Sequence, residues 1–186
     1  AHLAQDPGLV EAFSSGQDIH RATAARIFGC DPATVTIGQR SKAKMVSYGL
    51  AYGMEAYGLG QRMDIATDQA KEILDAYFAS FPNVKSFMES TVKEARSRGY
   101  TTTLMGRRRL LPELSSDNFR IRQMGERMAQ NAPVQGSAAD VFKLAMIDVD
   151  RALGEGGYDT QMILTVHDEL VFEVPEAERE AIGEMV

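Results

Sequence analysis

RSKAKMVSYGLAYGM, residues 40–54, puts two pairs of charged and aromatic side chains and two glycines on a segment of helical composition, most of them four residues apart. At 3.6 residues per turn, Arg40, Lys44, Tyr48 and Tyr52 each fall roughly 40° further round than the last, so they form one slowly winding stripe about 18 Å long. Its charges lie at the N-terminal end, where unpaired backbone N–H groups and the helix dipole already favour anions. Tyr48 and Tyr52 follow with flat faces on which a base can stack. Gly49 and Gly53, each after a tyrosine, predict a helix surface thin enough for a wide ligand to approach. Phosphates first and a ring second is the order of a nucleotide. A merely solvated helix face is a poor account of the stretch: cations at i, i+4 repel, and each glycine lowers helix propensity by about 1 kcal/mol relative to alanine.

Outward from that helix, about residues 38–52, the first half of the chain reads as a succession of short helices. GLVEAF is one, and DIHRATAARIFG is another, with Asp18 as its N-cap and Gly29 as its stop. TDQAKEILDAYFASF has helical apolar period at Ala70, Ile73, Leu74, Tyr77 and Phe78, with Thr67 or Asp68 as its expected cap. Pro82 opens a helix that runs to Arg98 and ends at Gly99. YTTTLMGRRRLL predicts two short strands around Met105 and Gly106. Helices resume near Asn118. RIRQMGERMAQNA is expected to be interrupted at Pro133, and SAADVFKLAMIDVDRAL to continue as far as Gly154.

The last clear element is QMILTVHDELVFEV, residues 161–174, in which two apolar, β-branched runs meet at His167, Asp168 and Glu169. It predicts a hairpin with acid at its tip. Two buried strands would hold that tip rigidly and give a carboxylate a fixed direction, which is what a metal ligand needs. The fold class expected is α+β, mainly helical, with an antiparallel hairpin near the C-terminal end.

The 186 residues, 44% of them hydrophobic, are enough for a real core. A lone Cys30 excludes a disulfide framework and fits a reducing compartment. No signal peptide, long apolar run or lipidation motif is present, so no membrane partner is expected and the chain reads as cytoplasmic. The formal charge of −6 argues against nucleic acid only until its distribution is read. Residues 1–147 carry 18 Lys/Arg against 15 Asp/Glu, and residues 148–186 carry 2 against 11. Between Arg96 and Arg127 eight arginines face three acids, a local +5 that can follow a phosphate backbone.

Taken in order, Arg40, Lys44, Tyr48, Gly49, Tyr52 and Gly53, then NAPVQGSAAD, then VHDE, resemble the family A DNA polymerases. DIHRATA, YFASFP, GYTTTLMGRRRLLPEL and ERMAQNAPVQG resemble that family's segments in the same order, so the likeness covers essentially the whole chain. The resemblance implies a fingers subdomain over 1–117, with the helix of about residues 38–52 as the one that closes on the incoming nucleotide. Part of a palm follows over 118–186, and its hairpin carries the catalytic Asp168. It implies that Arg40 and Lys44, with His20 alongside, hold the phosphates, that Tyr48 stacks near base and sugar, and that Tyr52 occupies the template side. Arg127, Asn131 and Gln135 are implied to touch primer, template and nascent pair in the minor groove, and His167 to lie near the primer terminus. Asp168, its neighbour Glu169 and Lys44 are the implied catalytic groups.

The partners implied are primer-template DNA and dNTPs, and the cofactor is two Mg²⁺ ions held between Asp168 and a second Asp from a motif this chain lacks. The resemblance therefore predicts a fragment, without thumb or exonuclease domain and inactive alone, of a parent expected to be monomeric. A single-subunit RNA polymerase would carry a similar helix and hairpin, although Glu169 after His-Asp and Tyr48-Gly49 in mid-helix resemble the DNA enzyme more closely. A noncatalytic DNA-binding module is a third reading, and the intact Asp168 stands against it.

Overall fold

The computed structural model describes residues 1–186, which fall into two compact units, Ala1–Gln135 and Gly136–Val186. The helices of the first unit have their ends set by side chains. Asp6 and Asp18 cap α1 (Pro7–Ser14) and α2 (Ile19–Phe28), each carboxylate accepting from two backbone N–H groups of the first turn, and Gly29 closes α2 at a φ of 61°. α3 (Ile37–Ala51) opens with a capping box in which Thr36 and Gln39 exchange side-chain to backbone hydrogen bonds.

The other end of α3 is a Schellman motif. Gly53 N–H donates to the Leu50 carbonyl at 2.9 Å and Met54 N–H to the Gly49 carbonyl at 2.8 Å, with Gly53 at a φ of 67°. Gly53 is thus the stop signal of α3 and lies beyond it. Gly49 is buried, and a Cβ added there would lie 3.4 Å from Leu59 Cγ and 3.6 Å from Met54 Cβ. Neither glycine thins the helix for a ligand, as the spacing had implied; both serve the chain's own packing.

α4 (Ala56–Met63), α5 (Thr67–Ser80) and α6 (Pro82–Arg98) follow. Neither Thr67 nor Asp68 caps α5: the N-cap is Ala66, and it makes no side-chain cap bond. The turn from α4 is so short, with Asp64 left-handed at a φ of 54°, that packing of the two helices decides where α5 starts. Pro82 and Gly99 bound α6 as the sequence predicts. Val46 and Leu50 of α3, Leu59 and Met63 of α4, and Leu74 and Tyr77 of α5 form the main core with Leu9 and Phe81, each large apolar chain worth about 1.5–3 kcal/mol. A second cluster of Ala24, Ala25, Val35 and Ala43 lets α2 and α3 approach closely.

β1 (Tyr100–Thr102) and β2 (Arg108–Leu110) pair antiparallel across the turn that holds Gly106, at a φ of 79°. α7 (Phe119–Gly156) then runs 38 residues from the first unit into the second, and Pro133 does not interrupt it. Proline forfeits one hydrogen bond, to the carbonyl of Ala129, but Ala129 and Ala132 are small and the sequence on both sides keeps helical propensity, so the cost stays local. The compact units part inside this helix, whereas the sequence reading places its subdomain boundary at 117/118, just before it.

In the second unit β3 (Gln161–Val166) and β4 (Glu169–Glu173) pair antiparallel from Val166↔Glu169 to Gln161↔Glu173, with an irregularity between Met162 and Leu164. The carboxylate of Glu178 accepts from the backbone N–H groups of Asp159 and Thr160 and from the Thr160 hydroxyl at 2.6 Å, fixing the chain where it enters β3. α8 (Arg179–Met185) follows, with Ile182 buried. The strands are not buried as predicted. This sheet has two strands only, and Ile163, Leu164 and Val166 are exposed. The architecture is α+β, mostly helical with two small antiparallel pairs. No helix is long and apolar enough to cross a membrane.

Candidate functional site

The N-terminal half of α3 and the start of α2 bring His20, Arg40, Lys44 and Tyr48 together. Lys44 Nζ stands 5.7 Å from the Tyr48 ring centroid, a cation over a π face, and the His20 ring lies 5.9 Å from that of Tyr48 at 41°. Arg40 Nε donates to Asp18 Oδ2 at 2.7 Å, while Asp18 Oδ1 accepts from the backbone N–H groups of His20 and Arg21. The Arg40 hydrogen bond is the main reason the Asp18 carboxyl is held below its ordinary 3.8. Burial lowers His20 below 6.5, helped by the charges of Arg40 and Lys44 and opposed by Asp18. Its Nδ1 is buried without a hydrogen-bond partner. Tyr48 remains half exposed. Two cations, an unpartnered imidazole nitrogen and an open ring suit a ligand that is anionic at one end and flat at the other.

A second group gathers where α3 ends. Tyr52 is the C-cap residue and is half exposed. The Asn131 side-chain amide donates to the carbonyl of Ala51, the last residue of α3, at 2.5 Å. The Arg127 stem passes over Gly53, where an added Cβ would lie 2.9 Å from Arg127 Cγ. Gly53 and Arg127 also line a cleft of about 210 Å³, with Met54, Leu74, Phe78 and Met88. Gln135 lies two steps of four beyond Arg127 on α7 and is exposed. Within the basic stretch, Arg96 pairs with Glu126 and Arg122 donates to the carbonyls of Ser116 and Asp117, so both serve the fold. Arg108 instead lies over the Tyr100 ring at 5.0 Å, on an exposed strand.

In the second unit His167 and Asp168 form the tip of the β3–β4 hairpin, with His167 left-handed at a φ of 57°, and Glu169 opens β4 opposite Val166. All three are exposed. No group of three His, Cys, Asp or Glu side chains that could hold a metal forms in this chain. Asp168 and Glu169 stand as two adjacent exposed carboxylates on one hairpin.

The sequence reading missed two contacts here. Asp18 was visible as a cap but not as the partner of Arg40, 22 residues on, and nothing local signals the bond between Asn131 and Ala51, 80 residues apart. The Lys44–Tyr48 contact, by contrast, follows from their i, i+4 spacing.

Residues 1–186 match the profile of DNA polymerase family A. The chain is 51% identical over 186 residues to DNA polymerase I of Mycobacterium tuberculosis (strain ATCC 25618 / H37Rv), covering 100% of this chain and 21% of that protein. It is 49% identical over 179 residues to DNA polymerase I of Streptococcus pneumoniae (strain ATCC BAA-255 / R6), covering 96% of this chain and 20% of that protein. Among solved structures, the POL domain of Pol1 from M. smegmatis in complex with DNA primer-template and dNTP superposes with a TM-score of 0.94 at 48% identity, covering 100% of this chain and 33% of that one. The chain thus spans about a fifth of the length of the curated relatives it matches.

Proposed function

The chain belongs to DNA polymerase family A, and we propose that it supplies the fingers, over 1–117, and part of the palm, over 118–186, of a polymerase that adds dNTPs to a primer 3′-hydroxyl in replication and repair. The observation that carries this reading is the grouping of His20, Arg40, Lys44 and Tyr48, cations set beside an open ring on one helix face. Arg40 and Lys44, with His20 beside them, take the phosphates, and Tyr48 takes the base and sugar. Lys44 is also the group that neutralises charge developing on the phosphates during transfer. Tyr52 serves the template side. Arg127, Asn131 and Gln135 serve the minor groove, where purine N3 and pyrimidine O2 offer acceptors whatever the sequence. His167 is assigned to the primer terminus.

Asp168, with Glu169 as its acidic neighbour, is assigned one ligand position for Mg²⁺. Two ions require a further carboxylate that this chain's donor set does not provide, so the chemistry assigned to the chain is nucleotide capture and charge neutralisation. The partners proposed are primer-template DNA and dNTPs, which the M. smegmatis structure holds. A monomer in the bacterial cytosol or nucleoid is the setting proposed, consistent with the bacterial relatives. The RNA polymerase and noncatalytic readings have less support, because the relatives at 47% to 51% identity are DNA polymerases I.

In the full-length protein Lys44→Ala is expected to slow incorporation of all four dNTPs roughly ten- to hundredfold, the worth of one charge-assisted contact, while primer-template affinity holds. An unchanged rate removes the phosphate role. Equal use of NTPs and dNTPs by the parent would favour the RNA polymerase instead.

A further inference from the structure

We propose that Asp18 is a positioning residue for Arg40, holding its guanidinium by the Nε edge so that the outer nitrogens face the phosphates of an incoming nucleotide. The inference rests on the reading of Arg40 as a phosphate ligand. One carboxylate does two things here. Oδ1 accepts from the His20 and Arg21 backbone N–H groups at 3.0 and 3.1 Å, which locks the side chain onto the N-terminus of α2. Oδ2 is thereby given a fixed direction, and at 2.7 Å it accepts from Arg40 Nε.

The distance between the two helices that allows this is set by alanines. Ala24 and Ala43 are fully buried, and Ala25 nearly so, which leaves small side chains at the centre of the α2–α3 contact. Arg40 lies in the first turns of α3, and the pair is partly exposed, so a ligand can reach it. A guanidinium has five donors in a rigid fork, and one bond at Nε leaves four on the outer nitrogens, the set that takes two phosphate oxygens side by side. Asp18 is an anion beside a proposed anion site, yet its charge already faces the α2 N-terminus and Arg40 itself, which limits its repulsion of a phosphate. A long flexible side chain held in one orientation before the ligand arrives loses less freedom when it binds. The same carboxylate bonds the His20 backbone, so it sets the start of the helix that carries the imidazole as well.

The test uses Asp18→Asn, Arg40→Ala and the double variant in the full-length protein, read by steady-state incorporation and thermal unfolding. Asparagine caps a helix as well as aspartate does, so α2 keeps its N-cap while Arg40 loses its charged partner. Asp18→Asn is expected to raise the KM for every dNTP about three- to tenfold, with kcat within about twofold and the unfolding midpoint unmoved. Asp18→Ser, a second uncharged cap, is expected to match it, which guards against a folding artefact of either variant. In the Arg40→Ala background Asp18→Asn is expected to change nothing further. If Arg40→Ala raises KM but Asp18→Asn leaves it unchanged or lowers it, the positioning role is overturned and the phosphate reading stands. Additive losses in the double variant also overturn it, because Asp18 would then act other than through Arg40. An unchanged KM in Arg40→Ala itself removes the phosphate reading, and this inference with it.

Discussion

His20 and Tyr77 show one physical cause, burial, acting with opposite sign on a base and on an acid. Burial first, then the facing charges of Arg40 and Lys44, lower His20 below 6.5 despite Asp18, which favours the neutral ring. A triphosphate on the Arg40–Lys44 stripe favours the protonated ring. Binding then takes up a proton, and affinity rises as pH falls through the window between the lowered free value and the raised bound one. Histidine NMR titration of the full-length protein is expected to show His20 titrating below 6.5 alone and higher with a nonhydrolysable dNTP; no upward movement would remove His20 from the phosphate site. Tyr77, in the core, has its phenol pushed from 10.0 to about 12 by burial, with a hydrogen bond to Ser47 pulling the other way. The unfolded chain releases this proton near pH 10, while the folded chain keeps it until about 12. The contribution is full below 10 and is lost as pH rises towards 12, about 2–3 kcal/mol in all. Urea unfolding at pH 9 and about pH 11 should therefore show the wild type losing about 1 kcal/mol more than Tyr77→Phe. Parallel losses would mean that the phenol titrates normally.

At the scale of elements α3 is held at both ends, by the Thr36–Gln39 box and by the Asn131 amide on the Ala51 carbonyl. Asn131→Ala leaves a helix-end carbonyl without its donor and is expected to cost about 1 kcal/mol. Asn131→Asp should cost more, because a carboxylate cannot donate and sits against the negative end of the α3 dipole. The stability order Asn, Ala, Asp is checked by chemical denaturation, with faster hydrogen exchange at Gly53 and Met54 marking the site; an Asp variant as stable as the parent would show that the bond does not hold the helix end. The same two ends show what the sequence could disclose. Asp18, Gly29, Pro82, Gly99 and the turn at Gly106 were legible because each is satisfied within a few residues of itself. The stripe from Arg40 to Tyr52 was legible because helix geometry fixes neighbours at i, i+4. Pro133 and the start of α5 were misread because packing outweighed a local signal, and Gly49 because its neighbour, Leu59, belongs to the next helix. The pairing of Asp18 with Arg40 and of Asn131 with Ala51 joins segments that only the folded chain brings together. The roles proposed for His20, Arg127 and Gln135 came from resemblance to a family, since no periodicity marks them.

For the whole molecule the second unit decides what the purified chain does. Val141, Leu144 and Ile147 on α7 and Ile163, Leu164 and Val166 on β3 are each 45% to 53% exposed. β3 and β4 form a two-stranded sheet, so each strand has an edge of unpaired backbone groups. Such an edge beside exposed apolar side chains is a template for another chain. The opposing term is charge: residues 148–186 carry 11 Asp/Glu against 2 Lys/Arg, and this repulsion between copies weakens as salt shortens the Debye length from about 10 Å at 0.1 M to about 3 Å at 1 M. Purified residues 1–186 are therefore expected to associate with rising concentration, and more readily in high salt, as followed by sedimentation velocity. Leu144→Glu with Ile147→Glu should reduce that association by removing apolar area and adding to the repulsion, and a monodisperse monomer at every concentration would contradict this account. The same preparation is expected to extend no primer with Mg²⁺ or Mn²⁺, because Asp168 and Glu169 are neighbours on one hairpin and the two-ion chemistry proposed above needs a carboxylate from a second direction. Supplying a polypeptide with a second carboxylate of the family's site should be necessary for activity. Template-dependent extension by the bare chain, cleared of host polymerase, would show that one hairpin suffices and would overturn the proposal that Asp168 needs a further carboxylate.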